Sequence, residues 1–110
     1  MQFEVKNNGA VTIFRLKEKK LDATISPELK GEFLILCSGQ TKQLIIDVTD
    51  VEFCDSSGLS ALLIAERKMR ELGGVVKLAG VHKKVLSLIK ISHLDRAFSI
   101  YDTVAKALKA

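Results

Sequence analysis

At 110 residues, with 47% apolar residues and one proline, the chain is long enough for one compact domain and too short for two. A domain of this size buries about two-thirds of its unfolded surface, so Cys37 and Cys54 need not form a disulfide, and the absence of a secretory leader points to the cytoplasm. The 17 basic and 13 acidic residues leave a charge of +4, but they are neither clustered nor interleaved with aromatics, and no apolar run reaches the ~18 residues of a membrane span, so neither DNA binding nor membrane insertion is expected.

Phe3 to Lys6 and Val11 to Leu16 are rich in Val, Ile, Phe and Thr and flank Asn7-Asn8-Gly9, which predicts an antiparallel hairpin. The basic stretch Lys17, Lys19, Lys20 reads as a solvated loop. Ser26-Pro27-Glu28 carries the marks of a helix start, with Ser26 as the expected cap. Leu29, Phe33, Leu36 and Cys37 supply the apolar stripe, and Gly39 is expected to end the helix in a left-handed conformation.

Leu44 to Val48 is almost continuously branched and apolar, as in a strand covered on both faces, and is expected at the centre of the sheet. A second helix is predicted from Ser57 to Leu72, ended by Gly73-Gly74. A strand from Val75 to Ala79, a helix from about His82 to Ile91, a strand from Phe98 to Tyr101 and a helix from Asp102 to Lys109 complete the chain. The expected architecture is therefore α/β: a mostly parallel central sheet of about five strands, an initial β-hairpin and about four helices, all in one domain over residues 1–110.

In such sheets functional groups gather at the carboxyl ends of strands, which directs attention to Cys54-Asp55-Ser56-Ser57-Gly58-Leu59. Asp55 and either serine can accept from the free N–H groups of a first helical turn, and Gly58 admits close approach of another group. A nucleophile elbow is excluded because neither serine has a glycine two residues before it. The Walker and G-x-G-x-x-G patterns are absent, and the first strand is not followed by the paired acids of a receiver domain, which leaves Asp47 a structural role. On a helical wheel Ser57, Ala61, Ile64 and Lys68 share one side, expected to lie opposite the Leu62-Ala65-Met69-Leu72 stripe and to form a docking face.

The pentapeptide Asp55-Ser56-Ser57-Gly58-Leu59, after an apolar strand and before a helix ending in Gly73-Gly74, resembles the phosphorylation segment of bacterial anti-sigma factor antagonists, the STAS-domain family. Lys20-Leu21-Asp22 before the Ser26-Pro27 helix start is similar to that family's Gly-x-Leu-Asp segment, and the element order agrees along the whole chain. Lys19 stands where the family carries glycine.

The resemblance implies a switch protein and not an enzyme, with no cofactor. An anti-sigma factor with a histidine-kinase-like ATP-binding fold would be bound, freeing a sigma factor. That partner would phosphorylate Ser57, the serine before the glycine, and a metal-dependent serine phosphatase would reverse the modification. Asp22 would lie near the phosphoacceptor, with Asp55, Ser56 and Gly58 shaping its loop, and Ser57, Ala61, Ile64 and Lys68 would meet the partner. The alternative is a STAS module serving a signalling complex without a sigma factor. Cys54 and Cys37 read as small core residues, His82 and His93 lack companions at ligand spacing, so no metal site is expected, and Lys83-Lys84 mark a solvated corner.

Overall fold

The structure, a computed structural model, describes residues 1–110. Its elements are β1 (Phe3–Asn8), β2 (Val11–Leu16), β3 (Lys20–Leu21), α1 (Ser26–Leu36), β4 (Gln43–Asp47), β5 (Phe53–Cys54), α2 (Ser56–Glu71), β6 (Val75–Ala79), α3 (Lys83–Ile91), a 3-10 turn (Leu94–Arg96), β7 (Ser99–Tyr101) and α4 (Val104–Lys109). Five strands form one sheet in the order β1-β2-β4-β6-β7, so the branched strand β4 does occupy the centre. Only β1 runs antiparallel to its neighbour; the other three pairings are parallel.

Alternation along the strands divides the apolar residues between two faces. Phe14, Leu16, Leu44, Ile46, Val76 and Leu78 meet α1, α2 and α3 in the main core, where Phe14 lies between Phe3 and Phe33 in aromatic contact. On the other face Ile45 and Ala79 pack against Ala107, with Ile13, Tyr101 and Val104 around them, so α4 is the helix on that side. Lys77 points to this second face, is only 6% exposed, and donates from Nζ to the carbonyls of Ala107 at 2.9 Å and Ala110 at 3.1 Å. An ammonium is thereby placed on the negative end of a helix dipole.

Turn chemistry departs from the expected positions in three places. The hairpin ladder continues through Asn7 and Asn8, whose partner is Val11, so the turn is Gly9-Ala10 with Gly9 at φ 64°. Gly39 does not close α1: the helix stops at Leu36, and the N–H of Cys37 returns to the carbonyl of Phe33 at 2.9 Å. Ser26 is a buried first-turn residue and not a cap; the carbonyl of Asp22 accepts from Ile25 and Ser26 instead. Gly73 does terminate α2, at φ 77°.

Candidate functional site

The loop between β4 and α2 begins with a local lock. The Oδ1 of Asp47 accepts from both the N–H and the hydroxyl of Thr49, which turns the chain at the carboxyl end of the central strand. The chain then adds Phe53 and Cys54 as β5, paired in parallel with Lys20 and Leu21 of β3. These two short strands lie outside the main sheet. They bring Leu21 beside Cys54 and so hold the Asp22 segment against the start of α2.

Asp55 is the N-cap of α2, with φ −115° and ψ −174°, and its Oδ1 accepts from the N–H of Gly58 at 3.0 Å. Ser56 and Ser57 then occupy the first and second helical positions, so neither is needed as the cap. Ser56 is exposed and Ser57 half-buried. The N–H of Asp55 donates to the carbonyl of Leu21 at 3.2 Å. That same oxygen lies 2.3 Å from where a Cβ on residue 58 would stand, and the Leu21 side chain and Cys54 Sγ crowd the position further. Glycine is required at 58 because the β3 backbone occupies the space of a side chain.

Asp22 opens its own turn in the same way as Asp47, its Oδ1 accepting from the N–H of Thr24 at 3.0 Å and from the Thr24 hydroxyl. These hydrogen bonds, with Lys20 nearby, hold its carboxyl below the usual carboxylate range. Asp22 is therefore ionised at neutral pH, and Asp22 and Asp55 flank the point where α1 and α2 begin. Ser56 and Ser57 stand at the positive end of the α2 dipole, an arrangement suited to an added anion on a serine hydroxyl.

The docking face expected along α2 is only partly there. Ala61 is 0% exposed, inside the main core, and Ile64 and Lys68 are half-buried. The reason is angular: on a wheel of about 100° per residue the Ala61 side adjoins the Leu62-Ala65-Met69 stripe rather than opposing it, and α1 packs on that shoulder. Cys37, just past the end of α1, illustrates the packing, with its thiol directed to the Ala65 carbonyl at 3.9 Å. The outward residues of α2 are Ser56, Ser60, Arg67, Arg70 and Glu71.

A surface that periodicity did not reveal lies on the other flank. Phe53, Cys54, Val85, Leu88 and Ile91 line an open groove of about 360 Å³ between β5 and α3, with Glu52 and Lys84 at its rim. Phe53 is 51% and Ile91 76% exposed, large values for apolar side chains, and the two come from distant elements to line the same groove. The visible signal was an aromatic immediately before the Cys54-Asp55-Ser56-Ser57 segment. A second, polar cleft of about 380 Å³ sets Lys17 and Lys19 among Asp50 and Glu52, so the basic loop is locally offset.

Both cysteines are free. Burial pushes the Cys54 thiol up to about 12, with the Asp55 charge adding to it, and burial pushes Cys37 up to about 11, which is the opposite of a reactive thiolate. His82 hydrogen-bonds through Nε2 to the Thr49 carbonyl, and His93 sits in a left-handed turn at φ 61°. No group of three His, Cys, Asp or Glu side chains is placed to hold a metal ion, and no helix is long and apolar enough to cross a membrane.

Residues 2–107 match the family model for the STAS domain. An anti-sigma F factor antagonist of Paenibacillus polymyxa is 27% identical over 109 residues, spanning 98% of this chain and 92% of that protein. A Thermotoga neapolitana protein named as a homolog of the anti-sigma factor antagonist TM1081 is 32% identical over 74 residues, 67% of this chain and 65% of its own length. The matched region thus spans just under two-thirds of that relative. The fold superposes on the unphosphorylated form of SpoIIAA, an anti-sigma factor antagonist from Bacillus, with a TM-score of 0.83 at 18% identity, covering 97% of this chain and 93% of that one; SpoIIAA is also solved in a phosphorylated form. It superposes equally on a segment of the murine anion transporter Slc26a9, with a TM-score of 0.81 at 18% identity, covering 94% of this chain and 18% of the transporter.

Proposed function

The chain belongs to the STAS-domain family, and on that premise we propose that it is an anti-sigma factor antagonist that works in the cytoplasm by partner switching, a binding module and not a catalyst. The unphosphorylated form binds an anti-sigma factor that carries an ATP-binding serine kinase fold, and so frees a sigma factor. The partner phosphorylates Ser57, which ends the complex, and a serine phosphatase restores it. Named relatives in the same family support the class of partner. The observation that carries the switch is the placement of Ser57: the second residue of a helix capped by Asp55, beside the Asp22 turn, with its hydroxyl not used in capping.

Physical chemistry gives the switch its direction. Phosphate adds about −1.5 to −2 charges, and at a helix N-terminus these are tolerated or mildly stabilising, so the fold need not change. Pressed into an interface, the same charges must shed water and meet Asp22 and Asp55 at close quarters, which costs the complex affinity. The partner lies over Ser57 and reaches the Phe53–Ile91 groove, which joins the site through Phe53 and Cys54. An apolar side chain of the partner enters that groove beside Lys84; Ile64 and Lys68 contribute only their exposed edges.

The test is affinity capture of wild type and Ser57→Ala from the native host, with mass spectrometry of both the co-purifying proteins and the modified residues. The expected result is an ATP-binding anti-sigma factor with both baits and phosphate on Ser57 of the wild type alone. With the partner in hand, Ser57→Asp is expected to bind at least about tenfold more weakly while keeping the wild-type circular dichroism spectrum. Equal binding by Ser57→Asp would overturn the electrostatic mechanism. A second reading, a STAS module in a complex without a sigma factor, is favoured by the likeness to the transporter segment. It predicts that no kinase co-purifies and that Ser57 stays unmodified.

A further inference from the structure

The five-stranded sheet has two edges, and they differ. β7 offers three residues, whereas β1 offers six, Phe3 to Asn8, with nothing beyond it. The backbone direction of β1 follows from its ladder. Lys17 donates to the carbonyl of Gln2 at 2.9 Å, which marks that pair as hydrogen-bonded, and the register Phe3↔Leu16 through Asn8↔Val11 carries the alternation along the strand. Glu4, Lys6 and Asn8 therefore spend their backbone groups on β2, and Phe3, Val5 and Asn7 turn theirs outward. Phe3 is anchored by stacking on Phe14 at 5.1 Å, so this edge is held in place.

We infer that two copies of this chain pair through β1, antiparallel about a twofold axis at Val5, giving one continuous ten-stranded sheet. In that register Val5 faces Val5 and Phe3 faces Asn7 of the second copy, and these are the residues whose N–H and C=O groups are free. Glu4 then faces Lys6 of the second copy, twice by symmetry, at the closer non-hydrogen-bonded positions. A lysine in the middle of an edge strand ordinarily repels a second strand. Here Glu4, whose carboxylate also pairs with Lys17 of its own chain, sets an acid opposite each lysine, so the charges favour this register over a slip by two, which would set Glu4 against Glu4 or Lys6 against Lys6. Val5, 39% exposed, loses its remaining contact with water.

The edge is narrow, so association is expected at concentrations between about ten micromolar and about one millimolar. Sedimentation equilibrium across that range tests it. Wild type is expected to show a concentration-dependent monomer–dimer equilibrium. Glu4→Lys places like charges opposite each other twice and is expected to weaken the dimer about tenfold, while Glu4→Lys with Lys6→Glu restores it. Val5→Pro removes an N–H that faces solvent and not β2, so it is expected to abolish the dimer without unfolding the domain. A monomer at every concentration, a double variant as weak as the single one, or a folded Val5→Pro that still dimerises would each overturn the pairing.

Discussion

At position 58 two effects of opposite sign meet, and their sizes decide the outcome. Alanine is a better helix former than glycine by about 1 kcal/mol, which favours the substitution. Against it, the new Cβ would stand 2.3 Å from the Leu21 carbonyl oxygen, a backbone atom that cannot swing aside. Overpacking of this kind costs about 1–3 kcal/mol, so Gly58→Ala is expected to lower the thermal midpoint in spite of its helix propensity, as a melt followed by circular dichroism will show. The thiols give a second test. Because burial raises Cys37 to about 11 and Cys54 to about 12, the folded chain holds these protons longer than the unfolded chain, whose thiols titrate near 9. Stability is therefore full below about pH 9 and declines as the pH rises toward 11 and 12. At pH 8 both cysteines are expected to resist alkylation until denaturant is added. The residue-level chemistry was legible in part: Asp55 and Gly58 announced a capped helix and a close approach, but which serine does the capping could not be read because Asp55 takes that role alone.

The longer elements were visible in the sequence because each repeats its pattern several times. β2, β4, β6 and the four helices lie close to where periodicity put them. The pair β3 and β5 was not visible, since two residues carry no period, although that pair sets Leu21 beside Cys54 at the start of α2. Ala61 was misplaced for a different reason: on the wheel its side adjoins the Leu62-Ala65-Met69 stripe, and α1 covers that shoulder. The groove at Phe53 and Ile91 joins residues from two distant elements and becomes legible only in the fold. Lys77 belongs to the same class, a charged residue in the middle of a strand whose partner carbonyls lie on α4. Lys77→Met keeps the volume and removes both bonds. It is expected to leave the five-stranded sheet intact while the amides of α4 exchange with deuterium markedly faster, at a cost of about 1–2 kcal/mol.

For the molecule as a whole, the proposed switch at Ser57 requires no change of shape. An anion on Ser57 would stand at the positive end of the α2 dipole, so the thermal midpoint of Ser57→Asp is expected to match the wild type within a few degrees. Asp22 and Asp55 sharpen the contrast, because they are harmless to a phosphate exposed to water and repulsive to one enclosed by a partner. On the proposed reading, a net charge of +4 would speed the approach of an acidic partner, and salt would weaken that approach.

One feature of the sheet also bears on how the chain reaches this state. β1 and β2 are joined by the two-residue turn Gly9-Ala10, whereas every other pairing in the sheet waits for a helix to cross over and return. A hairpin closes in microseconds, and parallel pairing across long loops is far slower. The ribbon is thus expected to pair before the other strands of the sheet do, which leaves its outer edge open meanwhile. Lys6, in the middle of that edge, is a charge of the kind that discourages nonspecific strand pairing during this interval.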